Sequence, residues 1–366
     1  MFKLLNYMKF SPFGSLGAGD GFVALDIGSS SIKMVESSIE KSRYQLLNLG
    51  TVPLPPKAIQ NNMVIDQRSV VDAIRRVIQE HNVKATRVIS AVPGRAAIMK
   101  KVQMPRQEET ELEANVEFEA HSVIPENLEN VNLDYQVLNL ADGGSKMDIL
   151  LVAVKKEIVN SYPDVIEQAG LTPAVIDVDY FAMENMYEAN YAREKINGAV
   201  GLIHIGAHYT SITFIQNGVS TFTGDLPIGG EEFTEGLRRE LSLSSEMAES
   251  FKLTGVIEGK KGLDLQVLLR PIAENIVEEI RRTVSLYGAV GSDESDGLKH
   301  IYLSGGSAKA PGLLTLLGEK MGVPVSLAEP FRGFIVNKNI DKSYLANSTP
   351  LFAVGAGLSI RRPGDK

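Results

Sequence analysis

No cysteine occurs in the 366-residue chain. That excludes a disulfide framework and any thiolate metal site, and it fits a reducing compartment. A long basic stripe is also missing. The formal net charge is −8, and the basic residues come in scattered doublets such as Arg75-Arg76, Lys100-Lys101, Lys155-Lys156, Arg238-Arg239 and Arg281-Arg282. No nucleic acid is expected as a partner. No apolar run approaches the roughly 20 residues a helix needs to span a bilayer. The run DILLVAV at 148–154 has the length of a buried strand.

What remains is ordinary for a globular chain: 44% hydrophobic and 22% charged residues. The length calls for two or more domains. The first ten residues, MFKLLNYMKF, place Leu4, Leu5 and Met8 at helical spacing between Lys3 and Lys9. A short membrane-surface helix is one reading. A loosely held terminus is the favoured one, because isolated helices this short are marginal. The stretch is not a signal peptide: its apolar part is short and broken, and a Gly-rich linker follows. Residues 1–20 are accordingly expected to be a flexible N-terminal segment.

The chain is organised around 22–36, FVALDIGSSSIKMVE. It reads as a strand, a polar turn at 28–31 and a returning strand. Asp26 sits near the end of the first strand. Gly28 lets backbone approach a ligand. Ser29, Ser30 and Ser31 offer hydroxyls and N–H groups, and Lys33 adds a positive charge. These residue types at this spacing suit a nucleoside triphosphate with bound Mg²⁺. An ordinary hairpin with a polar tip would look much the same.

Further along, a third strand is expected at 44–51, a helix at 70–81 and a strand at 87–92. The region 96–163 reads as an insertion: a strand at 98–104, an acidic helix at 108–119, and two strands at 133–140 and 147–154 joined by Ala-Asp-Gly-Gly. A helix at 157–169 ending at Gly170, a strand at 173–178 and a helix at 179–192 follow. Residues 198–213 then repeat the opening motif. Ile203-His204-Ile205-Gly206 falls on Leu25-Asp26-Ile27-Gly28, and Thr210 and Ser211 fall near Ser30 and Ser31. A duplicated hairpin is far more specific than one copy. Two such hairpins facing each other would hold a triphosphate from both sides.

The second half carries more glycine turns. Gly229-Gly230 precedes a helix starting near Glu231. Glu249 and Lys252 share a helix face, suited to ribose and base, or to a surface ion pair. A helix is expected at 267–286 and an acidic loop at 294–296. The strand at 300–303 runs into Ser304-Gly305-Gly306-Ser307, a turn that can lie flat on a purine, and a helix at 311–321 follows. Thr349-Pro350 opens a last helix containing Gly355 and Gly357, glycines suited to a close crossing or a hinge.

DIGSSSIK, DVDYFAMEN, IGAHYTS, LSGGSAKAPGL and PLFAVGAGL, in that order from about 22 to 360, resemble the five-part nucleotide signature of the actin/Hsp70/sugar-kinase superfamily. The insertion after the first half-domain resembles the FtsA-type branch. GSSSIK, PLPP, RVISAVPG, LDYQVL and LPIGGEEFTE resemble, within it, the PilM family of type IV pilus assembly proteins. The resemblance implies an α/β, actin-like two-lobed fold with duplicated ribonuclease-H-like cores and an inserted β-α-β-β subdomain. It implies subdomain 1A at 21–86, 164–196 and 346–361, subdomain 1C at 87–163, subdomain 2A at 197–238 and 298–345, and subdomain 2B at 239–297.

It also implies roles. Asp26, Gly28, Ser29, Ser30, Ser31 and Lys33 match the first phosphate loop, with Asp26 as the Mg²⁺ carboxylate. Gly206, Ala207, Thr210 and Ser211 match the second. Glu249 and Lys252 match the adenosine-holding helix, and Gly305, Gly306 and Ser307 the adenosine turn; Gly230, before the helix that starts near Glu231, is a further candidate nucleotide contact. Asp177 or Asp179 matches the segment whose acid orients the attacking water. One position departs. The second loop of the superfamily opens with Asp, and here His204 stands there. Neutral imidazole is a poor ligand for Mg²⁺, so ATP binding with slow or absent hydrolysis is expected. His204 and His208 lack the shared helix face of a zinc pair.

The implied function is an ATP-binding assembly protein in the cytoplasm, peripheral to the inner membrane. Its expected partner is the cytoplasmic N-terminal tail of PilN, held in a groove near the insertion; other platform proteins and a second copy of the chain are further expected contacts. Membrane contact would run mainly through partners. An FtsA-like division filament is the alternative, weakened because SIRRPGDK at the end supplies no amphipathic helix. A small-molecule kinase of the superfamily is the third reading, weakened by the lack of an evident substrate base beyond Asp177 and Asp179.

Overall fold

The computed structural model describes residues 21–40, 43–194, 196–257, 264–288 and 297–365. The terminal stretch 1–10 and the acidic stretch 294–296 lie outside the described residues. The chain divides into two compact units: 1–186 with 333–340 and 354–366, and 187–332 with 341–353.

In the first unit β1 (Phe22–Ile27), β2 (Ser31–Glu40) and β3 (Arg43–Pro53) form an antiparallel meander. The small hairpin of β4 (Ile59–Gln60) and β5 (Met63–Val64) turns through Asn61 and Asn62. Both asparagines have positive φ, at 50° and 67°, a conformation this residue type tolerates well. Helix α1 (Gln67–Glu80) is capped by Asp66, which accepts from the Ser69 N–H, and it buries Val70, Ile74 and Val77. Strand β6 (Arg87–Val92) returns parallel to β1.

The expected insertion follows as β7 (Ala97–Pro105), α2 (Glu109–Val123), β8 (Val131–Ala141) and β9 (Lys146–Lys155). The three strands are antiparallel, with β9 in the middle. Strand β9 contains the DILLVAV run and is buried on both faces. Met147, Ile149, Leu151 and Ala153 pack with Leu112, Val116 and Ala120 of α2. Leu150, Val152 and Val154 join the core of the first sheet. A strand with period-2 geometry and two buried faces has to read as a continuous apolar run.

Helix α3 (Lys156–Gln168) packs Ile158, Val159, Tyr162, Val165 and Ile166 into that same core. Gly170 follows it with φ +89°, the left-handed ending that glycine permits. Strand β10 (Thr172–Val178) pairs parallel with β6, and α4 (Asp179–Tyr191) starts directly after it.

The second unit repeats the pattern. Strands β11 (Ala199–Ile205), β12 (Thr210–Gln216) and β13 (Val219–Leu226) make the meander. Helices α5 (Gly230–Leu241), α6 (Ser245–Thr254) and α7 (Leu265–Gly288) follow. Strand β14 (Leu298–Ser304) is parallel to β11, and α8 (Leu313–Met321) leads to β15 (Val325–Leu327), parallel to β14. The two sheets run β3-β2-β1-β6-β10 and β13-β12-β11-β14-β15. Both have one order: an antiparallel meander, then two strands parallel to its first. Strands β13 and β15 are not anticipated by the sequence reading. VSTFTGDL has too few apolar residues for a strand pattern, and β15 has only three residues.

The chain end adds to both units. Strand β16 (Ile335–Val336) pairs parallel with β3 in the first unit. Helix α9 (Lys342–Ser348) lies in the second unit. The segment opened by Thr349-Pro350 begins as a tight 3₁₀ turn, Thr349–Phe352, and becomes α10 (Ala353–Ser359) only afterwards. Among the described residues no helix is long and apolar enough to cross a membrane.

Candidate functional site

Strands β1, β6 and β10 are mutually parallel, so their C-terminal ends share one edge of the first sheet. That edge is where open α/β sheets hold ligands. Asp26 lies opposite Lys33 across β1 and β2, and the side chains form a largely buried ion pair at 3.4 Å. A Cβ at residue 28 would stand 2.5 Å from the Lys33 ammonium and 3.3 Å from the Ser31 carbonyl, so any side chain there would displace the lysine from its present position. The turn closes through Gly28 N–H donating to the Ser31 carbonyl at 3.2 Å. The N–H groups of Ser29 and Ser30 and the hydroxyls of Ser29, Ser30 and Ser31 have no partner among the described residues. They form a small cluster of uncommitted donors beside a paired Asp and Lys.

Asp179 stands at the same edge, where its Oδ1 accepts from the Gly94 N–H at 2.8 Å. Burial, and then the charges of Asp179 and Asp26, push the Tyr162 phenol far above its usual range. The phenol itself donates to the Asn62 carbonyl at 3.1 Å. Asp177 has a different setting. It is fully buried, its Oδ2 2.8 Å from Nε of Arg361, which is also buried. The distance is short but the N–H is not aligned for a hydrogen bond, so charge holds the pair. Its Oδ1 accepts from the Val178 N–H at 2.8 Å. Burial pushes the Asp177 carboxyl up, and Arg361 pulls it back down.

In the second unit the parallel strands β11 and β14 end at one edge, in Gly206-Ala207 and in Gly305-Gly306-Ser307. Gly230 N–H donates to the Gly206 carbonyl and Glu231 N–H to the Ala207 carbonyl, both at 2.8 Å. The start of α5 is therefore stapled onto the loop. A Cβ on Gly229 would lie 2.7 Å from both loop carbonyls. One on Gly230 would collide with the Ser307 hydroxyl. Gly305 has φ +98° and backs onto the Ile205 backbone. Thr210 is buried, and its hydroxyl donates to the Ile228 carbonyl at 2.8 Å.

Helix α6 completes this cluster. Lys252 Nζ lies 2.6 Å from Glu249, 3.0 Å from the Thr234 hydroxyl and 3.3 Å from the Gly230 carbonyl. Thr234 donates to Glu249 in turn. Glu249, Lys252, Gly230 and Ser307 are thereby brought together, and Gly206, Ala207, Gly305 and Gly306 adjoin them. Thr234 escaped the sequence reading. Its only signal is its place one turn after Gly230. Arg361 and Ser304 escaped too, because their partners lie 184 and 100 residues away in the chain.

The donor set fits a polyphosphate. The N–H groups of Ala207, His208, Gly306 and Ser307 have no partner among the described residues. Nor does the Ser307 hydroxyl, although Ser307 is 6% exposed. Gly306 needs neither positive φ nor space for a neighbour: a Cβ there would meet only Leu351, at 3.6 Å. Folding alone does not require glycine at 306, whereas a flat ligand laid on the turn would. For a metal the fit is thinner. No group of three or more potential ligands occurs among the described residues. Asp26 is one carboxylate, already paired. A hydrated Mg²⁺ held by one carboxylate and by phosphates is compatible with that.

A family model described as "Type IV pilus assembly protein PilM" matches residues 24–363. Among solved structures, a chain of the "PilM-PilN type IV pilus biogenesis complex" is 28% identical, with a TM-score of 0.81 over 93% of this chain and 98% of that one. Cell division protein FtsA of Bacillus subtilis is 23% identical over 92% of this chain and 82% of its own length. MreB 5 of Spiroplasma citri, bound to AMPPNP, is 12% identical with a TM-score of 0.50 over 93% of this chain and 95% of its own. That last likeness bears on architecture alone. The two repeated sheets are those of the actin-like ATPase α/β fold.

Proposed function

Since the chain belongs to the PilM family of type IV pilus assembly proteins, we propose that it is a nucleotide-binding assembly protein that docks the cytoplasmic N-terminal tail of a PilN-type inner-membrane partner. The likeness to a chain of the PilM–PilN complex, across nearly the whole of both chains, carries this reading. The protein acts in the cytoplasm at the inner membrane and reaches the membrane through its partners. The four subdomains implied by the family organise it.

The nucleotide is ATP. Ser29, Ser30, Ser31 and Lys33 are the phosphate contacts of the first loop. Gly206, Ala207 and Ser211 are those of the second. Glu249, Lys252, Gly230, Gly305, Gly306 and Ser307 hold the adenosine. Thr210 acts by fixing the Ile228 carbonyl. Asp26 is the residue that would hold Mg²⁺, which neutralises phosphate charge when bound. Asp179, at the sheet edge, is better placed than the buried Asp177 to orient water. Turnover is slow or absent, because Asp177 is committed to Arg361 and no carboxylate occupies position 204.

Titration calorimetry with ATP tests the nucleotide half. Gly306→Val is expected to leave thermal stability unchanged and to weaken ATP at least about tenfold, because the added side chain covers the turn. Equal affinity would remove the adenosine assignment. Brisk Mg²⁺-dependent hydrolysis abolished by Asp26→Ala would contradict the clamp reading. For the partner half, a synthetic tail peptide is titrated with and without ATP. The insertion offers exposed Phe118 on α2 and Leu140 on β8, at 79% and 50% exposure. Weaker peptide binding in Phe118→Asp or Leu140→Asp supports docking at the insertion. Unchanged binding in both moves the site elsewhere.

A further inference from the structure

The two sheets carry a polar row at equivalent positions, and its charges are arranged differently. In the first sheet the row is Asp26 on β1, Lys33 on β2 and Thr51 on β3, each opposite the next. In the second it is Ser304 on β14, His204 on β11, Ser211 on β12 and Asp225 on β13. Directly opposed residues share a face. The central strand therefore bears a carboxylate in one sheet and an imidazole in the other. The acid of the second row stands two strands away, roughly 10 Å at ordinary strand spacing.

The imidazole is held in place. His204 Nδ1 lies 3.0 Å from the Ser304 hydroxyl. That hydroxyl also lies 3.4 Å from the Ile203 carbonyl. Whichever nitrogen carries the proton in the neutral ring, the charged ring carries one on each. The pair bridges the two glycine turns, since His204 lies two residues before Gly206 and Ser304 directly before Gly305. Around those turns stand the uncommitted N–H groups of Ala207, His208, Gly306 and Ser307. Among the other ionisable groups on the adjoining elements are Asp225 on β13, His208 in the loop, Glu231 at the start of α5, Glu249 and Lys252 on α6, and Lys309 after the β14 turn. Neither turn contains a carboxylate. A divalent cation would find little here, and an anion would find donors and a potential positive charge.

We propose that His204 is itself a phosphate contact, its ring taking up a proton as the nucleotide binds. This rests on the nucleotide reading above and gives it a specific form. The nucleotide binds with little help from Mg²⁺, and it binds more tightly in acid. The sign follows from linkage: the bound state carries one more proton than the free state, so affinity falls as pH rises above the free imidazole's titration.

The test is ATP binding to the full chain by calorimetry, at pH 6 and pH 8, in EDTA and in Mg²⁺. The wild type is expected to bind equally in EDTA and Mg²⁺ within about threefold, and to weaken by up to about tenfold per pH unit where the imidazole deprotonates. ATP's own terminal phosphate titrates nearby, so His204→Gln sets the baseline and should lose the extra slope. His204→Asp should make binding Mg²⁺-dependent, at least about tenfold weaker in EDTA, because a carboxylate facing phosphates needs a cation between them. A wild type that requires Mg²⁺, or a His204→Gln variant that keeps the full slope, overturns the inference and leaves ATP binding standing. Absence of ATP binding in every condition overturns the nucleotide reading itself.

Discussion

Arg361→Ala is expected to cost about 3–5 kcal/mol of unfolding free energy, the range for breaking a buried ion pair by removing one member. Both side chains are within 2% of complete burial. Alanine would leave the Asp177 carboxylate charged in the core, with one N–H, that of Val178, still donating to it. It would also leave a cavity the size of a long side chain. The pH dependence has a definite sign. Without Arg361 the folded-state Asp177 carboxyl is pushed up further, while its unfolded value stays ordinary. The variant's folded state then binds a proton that the unfolded state releases, so its deficit is full at neutral pH and shrinks as the solution is acidified toward the raised value. Urea denaturation at pH 8 and pH 5.5 checks this. Asp177→Asn combined with Arg361→Met is expected to recover a large part of the loss, because an apolar replacement removes the stranded charge. An equal deficit at both pH values, or no recovery, would show that packing rather than charge dominates.

Gly357→Ala is expected to destabilise by about 3 kcal/mol, at the upper end of overpacking costs. Helix propensity argues for the opposite sign, since alanine is favoured over glycine by about 1 kcal/mol inside a helix. Sterics decide. A Cβ at 357 in α10 would fall onto the Ala182 carbonyl of α4, with the carbonyl carbon 2.5 Å away. Backbone cannot rotate aside, so one helix has to move. Gly355 is the internal control. Its Cβ would meet the Val35 side chain at 2.9 Å, and a valine can adjust. Gly355→Ala should therefore cost about 1 kcal/mol or less. Chemical denaturation of the two variants side by side checks the contrast, and equal stabilities would refute the close-crossing account.

The duplicated hairpins were legible because each compresses its signal into about fifteen consecutive residues. Their strands, turns and glycines fall where the sequence places them, and so do the strands and helix β7, α2, β8 and β9. The actin-like fold anticipated from the ordered motifs is the one found. The rest is carried by distance and register. Nothing near Asp177 in sequence announces Arg361. The facing of His204 and Ser304 exists only once β11 and β14 are paired. Strand β13 was invisible because its apolar residues are few, its place being set by its neighbour β12. The closeness of the Lys33 ammonium to Gly28 was also out of view, since it appears only once β1 and β2 are paired.

Strand β9 limits how this protein can be re-engineered. Its odd-numbered side chains belong to the insertion, and its even-numbered ones belong to the host core. The insertion is thus no detachable cassette. A chimaera that imports the corresponding segment from a relative must keep residues compatible with Leu150, Val152 and Val154, or the host loses part of its own interior. Surface properties of the insertion are therefore better altered residue by residue on the outer surface of α2 than by exchange of the whole segment.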